Sequence, residues 1–238
     1  LREARAELLR AWRTPAFAAP TLLLPLAFYT LFAIILAPAG SGTAAYSLAT
    51  YGVYVALAPC LYGFGATIAA DRDSGILGLK QVSPLPVTAF LVAKLSAALV
   101  FTAVELLALY LLAAWGAGVS LPVAGWVGMT LAHLASVLPF CLLGLCVGLR
   151  TSNSAAMALT NVLFFGLAIL GGLWIPLFVF PHAMQIFALL LPSSHLAALA
   201  LAAAGQPAGV PAVHGLVLVG FVAALSVLAR KSWTEAQR

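Results

Sequence analysis

Residues 95–115 read LSAALVFTAVELLALYLLAAW, with Glu105 the one charged side chain in the run. At 1.5 Å of rise per residue such a helix is about 30 Å long, the thickness of a bilayer's hydrocarbon. Working outward from it, apolar runs of similar length recur at about 16–37, 47–70, 123–149, 155–175 and 209–229. Over all 238 residues 64% are hydrophobic and 7% charged, against about 25% charged in an ordinary soluble domain. A water-soluble core has no use for that much apolar surface, so lipid is the solvent. The expected fold is an all-α membrane protein with six transmembrane helices.

The charged residues fall on alternate sides of these runs. Arg2, Arg5, Arg10 and Arg13 precede the first. Arg72, Lys80 and Lys94 lie between the second and third, Arg150 between the fourth and fifth, and Arg230, Lys231 and Arg238 after the sixth. The connections 38–46, 116–122 and 176–208 hold no Lys or Arg. The positive-inside rule then places both termini in the cytoplasm, and a bacterial inner membrane is the expected location. A net charge of +5 without a basic stripe or interleaved aromatics points to lipid head groups, not to nucleic acid. A signal peptide is not expected. The first apolar run exceeds a 7–15-residue h-region, and Glu3 and Glu7 interrupt the basic segment before it.

Residues 1–15 form a separate element. At 100° per residue Leu1, Ala4, Leu8, Ala11 and Trp12 share one face, and Glu3, Glu7, Arg10 and Arg13 the other. This is an interfacial amphipathic helix, an anchor or a docking surface, broken by Thr14-Pro15. Residues 16–238 form one six-span domain. The connection from Asp71 to Lys94 is longer than a link needs. It is charged at Asp71, Arg72 and Asp73, apolar at Ile76, Leu77 and Leu79, and stopped by Ser83-Pro84-Leu85-Pro86. It reads as a short helix under the membrane at about 71–79. Residues 176–205 are apolar but broken by Pro176, Pro181 and Pro192. They predict a pair of short helices at the outer leaflet, one starting at Pro181 and one capped by Ser193 or Ser194, with His182 and His195 at the boundary.

Within the spans, Glu105 and His133 each lie about ten residues from a membrane surface, near the midplane on consecutive helices. A charge there costs about 2.5–3.5 kcal/mol, so Glu105 must be protonated, paired or facing water. It either hydrogen-bonds His133 or Asn161 of the fifth span, or faces a central route with them. Gly144-x-x-x-Gly148 admits close approach of a helix, from this subunit or another. Cys60, Cys141 and Cys146 lie in apolar runs without metal-ligand spacing, so no metal site is expected.

Asp71-Arg72-Asp73-Ser74-Gly75-Ile76-Leu77, followed by Ser-Pro-Leu-Pro and Ala93-Lys94-Leu95, resembles the loop after the second span of ABC-2 type transporter permeases. The exit from Arg10 to Pro15 and Leu191-Pro192-Ser193-Ser194-His195-Leu196 before the last span are similar too. The family often has Glu-Arg and Gly-Thr-Leu where this chain has Asp71-Arg72 and Gly75-Ile76-Leu77. The resemblance implies an exporter permease, not an enzyme, that moves a drug, lipid, antibiotic or peptide across the membrane. It further implies a second permease subunit and a separate ATPase chain that holds ATP and Mg and pushes on Asp71, Arg72, Asp73, Gly75, Ile76 and Leu77. The sequence has no G-x-x-x-x-G-K-[ST] loop of its own. Two alternatives remain at this level, a substrate-binding importer subunit and an intramembrane enzyme. For the latter, neither Gly-x-Ser-Gly nor His-Glu-x-x-His occurs.

Overall fold

Among the described residues six helices are long and apolar enough to cross a bilayer: Ala18–Ile35, Thr43–Asp73, Thr88–Gly116, Val123–Arg150, Asn153–Leu170 and Pro211–Glu235. The computed structural model describes residues 2–38, 42–82 and 87–236, which are helices joined by turns, without a strand. Leu1, Ala39, residues 83–86 with the Ser-Pro-Leu-Pro stop, and Arg238 lie outside the described residues.

Each predicted run is found, with shifted ends. The third helix begins at Val87, so Lys94 belongs to it and not to the preceding loop. Burial of this lysine is possible because Glu7 and Asp71 meet its ammonium. The fifth helix stops at Leu170, earlier than the apolar run, where Gly172 turns into the left-handed region at φ 77°. There the N–H groups of Leu173 and Trp174 return to the carbonyl of Ala168, closing orphan acceptors of the helix end.

The second span is the centre of the bundle. Of its most apolar window 72% is buried, against 11% for the sixth span, which lies at the periphery. Glycine explains how closely its neighbours approach. A Cβ on Gly144 would overlap the carbonyl of Cys60, and one on Gly148 would overlap the carbonyls of Phe64 and Gly65. The Gly-x-x-x-Gly pair is therefore used inside this subunit, fourth span against second. Without a hydrophobic force between helices in lipid, this backbone-to-backbone packing is what holds them.

The N-terminal helix expected at the interface, Arg2–Trp12, packs on the third span, with Trp12 against the ring of Phe101 at 5.1 Å. Its charged face is not wholly turned to water as the helical projection suggested. Glu7 is drawn inward to Lys94, while Arg10, itself half exposed, reaches across to the buried Asp71.

Before the last span, His182–Ala188 and Pro192–Ala203 form a hairpin bent by 90°. The second helix starts on Pro192 itself, and Ser193 and Ser194 make no cap. Their hydroxyls donate instead to the carbonyls of Leu167 and Ala188, at 3.1 and 2.6 Å, and so fix the hairpin to the fifth span and to its own bend.

Candidate functional site

The charged segments, far apart in sequence, meet at one end of the bundle. Asp71 is 1% exposed. It accepts from Arg10 Nη1 at 2.9 and 3.2 Å and faces Lys94 Nζ at 3.8 Å. Lys94 donates to Glu7 at 3.0 Å and to Thr67 Oγ1 at 3.1 Å. A buried ammonium held by two carboxylates loses more from one missing partner than it gains from any single one.

Arg72 points elsewhere, because successive residues on a helix lie 100° apart. It donates to the carbonyls of Gly148, Leu149 and Thr151. These close the fourth span, where helix carbonyls have no partner of their own. Asp73 accepts the backbone N–H of Asn153 at 2.7 Å, the first residue of the fifth span. Three consecutive residues thus fasten the second span to the N-terminal helix and to the third, fourth and fifth spans. Arg150 and Glu235 add a link to the sixth at 3.6 Å.

These contacts correct the expected short helix at 71–79. Asp71, Arg72 and Asp73 are the last turn of the second span. Gly75, at φ 78°, makes the turn, and the short helix runs Ile76–Val82. Leu77 is buried at 4% exposure, whereas Ile76 and Leu79 stand out at 42% and 70%. Ile76 and Leu79 are thus the exposed apolar residues of this short helix, while Asp71 is enclosed and Asp73 remains exposed. The spacing of three between Ile76 and Leu79, which puts both on one helix face, is the sequence signal that would have marked Leu79.

Glu105, His133 and Asn161 are not brought together. His133 is enclosed over Gly52, bonded to the hydroxyl of Tyr110 at 2.8 Å and to the carbonyl of Ala49 at 2.9 Å. Asn161 Oδ1 accepts from the hydroxyl of Tyr62. Both oxygens of Glu105, and Thr102 Oγ1 one turn before it, are buried without a hydrogen-bond partner among the described residues. Counting depth placed Glu105 beside His133 but could not give its direction round the helix. Tyr110, five positions on, faces about 140° away, and the fourth span packs on that face.

An apolar groove runs along the bundle instead. One part, of 440 Å³, lies between Pro20 and Leu24 of the first span, Tyr54 and Ala58 of the second, and Phe164 and Phe165 of the fifth. A second part, of 290 Å³, opens at the charged end beside Glu7, Arg10, Lys94 and Phe101. Thr14, Tyr62 and Met157 line both parts. Of the three residues expected on a route, Asn161 alone touches this groove's wall, through Tyr62. Among the residues lining these two parts, charge is confined to the mouth. The lining is thus apolar along its length and charged at one end, where Lys94 is held by Glu7 and Thr67.

Comparison with known proteins gives two findings. Residues 4–203 match the family described as ABC-2 type transporter. The chain is also 28% identical over 193 residues to a putative transport permease, YvfS, of Bacillus subtilis (strain 168), covering 80% of this chain and 79% of that protein.

Proposed function

Because the chain belongs to the ABC-2 type transporter family, and so is a membrane permease subunit of an ABC transporter that works with an ABC ATPase, we propose that it exports an amphiphilic substrate. The substrate enters the groove of the first, second and fifth spans from the charged end, which the positive-inside rule assigns to the cytoplasm of the inner membrane. Two copies, or this chain and a related one, bring two such grooves together. ATP and Mg reside on the separate ATPase subunit, in keeping with the missing phosphate loop.

The observation that carries this reading is the continuity between groove and clasp. Arg10 and Lys94 line the groove's mouth and also bind Asp71. Asp71 lies five and eight residues before the exposed Ile76 and Leu79, across the turn at Gly75. A push on that short helix therefore moves the second span and the mouth together. Force enters at Ile76–Val82, and Asp71, Arg72 and Asp73 carry it into the bundle.

Reconstitution with its ABC ATPase subunit, and a panel of fluorescent amphiphiles in vesicles, tests the reading. ATP should drive a probe away from the ATPase side, and the same probe should stimulate hydrolysis. Narrowing the groove with Ala58→Trp should remove both effects while the two subunits still copurify. Movement of probes toward the ATPase side, or transport unchanged in Ala58→Trp, would overturn the proposal.

A further inference from the structure

At the other end of the bundle the histidines of the hairpin and the sixth span meet. His195 Nδ1 lies 2.8 Å from His214 Nδ1. Their remaining ring nitrogens are also engaged: His195 Nε2 is 2.9 Å from the carbonyl of Leu189, and His214 Nε2 is 2.9 Å from the carbonyl of Ala208. A carbonyl oxygen only accepts, so each Nε2 carries a hydrogen. Two neutral rings have no hydrogen left, and their Nδ1 lone pairs would face each other at contact distance. A hydrogen bond between them needs a third proton.

We propose that His195 and His214 bind one proton between them, forming an imidazole–imidazolium pair that fastens the hairpin to the sixth span and releases it as the pH at that end rises. The geometry selects a proton over a metal ion. Two imidazole nitrogens at 2.0–2.1 Å from a tetrahedral Zn²⁺ stand about 3.3 Å apart, and zinc asks for further ligands. No group of three or more His, Cys, Asp or Glu side chains exists among the described residues. Histidine is also the side chain that changes charge between about pH 5 and 8.

The surroundings leave the pair's charge to the proton alone. Between residues 151 and 229 there is no Asp, Glu, Lys or Arg. The elements packed on Pro192–Ala203 are Thr43–Val55, Val123–Ala135 and the sixth span. They carry as titratable groups Tyr46, Tyr51 and Tyr54, then His133, already bonded to Tyr110 and Ala49, and then His214 itself. Arg230, Lys231 and Glu235 sit at the far end of the sixth span. The first hairpin helix adds His182. Val137–Arg150, also packed on the sixth span, brings Cys141, Cys146 by Leu225, and Arg150 paired with Glu235 at the far end, so among the described residues no carboxylate stands by to hold the pair charged at high pH.

The backbone is built to use such a release. The link between hairpin and sixth span turns at Gly205 and Gly209, both at φ 72°. The hairpin's hydrogen bond to the fifth span, Ser193 to Leu167, is neutral. Loss of the proton therefore removes the hydrogen bond to the sixth span, leaving packing such as His195 on Phe221 there, and keeps the hydrogen bond to the fifth.

Nitrogen-15 histidine labelling of the whole protein in nanodiscs, read by solid-state NMR, tests this directly, since the chain has four histidines. At about pH 5.5 a through-space contact between two Nδ1 nuclei is expected, with one ring showing the imidazolium signature. Both features should be lost together by about pH 9, and be absent in His195→Phe but kept in His182→Phe. The wild-type titration stands even if a variant fails to fold. Neutral rings without the contact at every pH, or a contact unchanged across the range, would overturn the proposal. So would a contact that appears only with added Zn²⁺ and disappears with EDTA, which would make the pair a metal site.

Discussion

The guanidinium of Arg72 donates to the carbonyl of Leu149 at 2.6 Å, joining the last turn of the second span to the last turn of the fourth. Their Gly-rich faces already touch, and this bond locks the depth of one helix against the other. Arg72→Ala leaves several terminal carbonyls without a donor. Bonds to charged groups contribute about 1.5–3 kcal/mol each, so a loss of at least about 2 kcal/mol is expected. Arg72→Lys, with one compact donor group in place of a fork, should recover less than half. Thermal unfolding in detergent measures both.

Asp71 and Asp73 look equivalent in sequence and are not. Asp71 is enclosed and balances Arg10 and Lys94, whereas Asp73 is exposed at the start of the fifth span. Asp71→Ala should sharply reduce the amount of folded protein, because Lys94 then keeps one carboxylate partner in a buried site. Asp73→Ala should reduce it little. Replacing Lys94 by Met in the Asp71→Ala background should restore much of the loss. Equal effects of the two single substitutions would contradict this assignment.

The glycines of the fourth and fifth spans make a sharper contrast. Gly148→Leu must push into the carbonyls of Phe64 and Gly65, while a side chain at Gly166 meets nothing within 4 Å. Gly148→Leu is expected to prevent accumulation of folded protein, and Gly166→Leu to leave it unchanged, by fluorescence-detected size exclusion.

Leu77 and Leu79 separate folding from partner contact. Leu79→Asp changes an exposed side chain and should leave the permease folded but reduce copurification of the ATPase at least tenfold. Leu77→Asp buries a charge in the core and should remove the protein itself. Retained ATPase binding in Leu79→Asp would move the docking surface elsewhere.

The span count and the gathering of charged segments at one end were legible because lipid imposes them on composition: twenty apolar residues and one-sided cations admit few other folds. What the one-dimensional pattern could not give was azimuth. Depth along a helix follows from counting, but Glu105 faces away from His133, and Asp71, Arg72 and Asp73 point to three different neighbours. Lys94 was read as loop because a lone lysine looks like an end, and its counter-charges, Glu7 and Asp71, are 87 and 23 positions away. The His195–His214 contact was invisible for the same reason, since neither ring has a partner within its own turn.

Glu105 gives the last prediction. Both of its oxygens are buried without a hydrogen-bond partner among the described residues, and neither part of the groove includes it. The expected bond to His133 or Asn161 is not formed, since both have other partners. An enclosed polar group without a partner costs about 1–3 kcal/mol, so position 105 stores instability that no contact offsets. Glu105→Met, similar in length and without polar oxygens, should therefore raise the melting temperature, by about 2–4 °C for each kcal/mol regained. Glu105→Ala should lower it, because the cavity left behind costs more than the carboxyl did. Glu105→Gln keeps a polar end and should change stability little. If the groove is the route, all three variants that insert should transport at the wild-type rate per folded molecule. A Met variant that is well folded and more stable, yet no longer transports, would show that the carboxyl group is retained for transport despite its cost. A Met variant that is less stable than wild type would show that the carboxyl group has a partner that stabilises it.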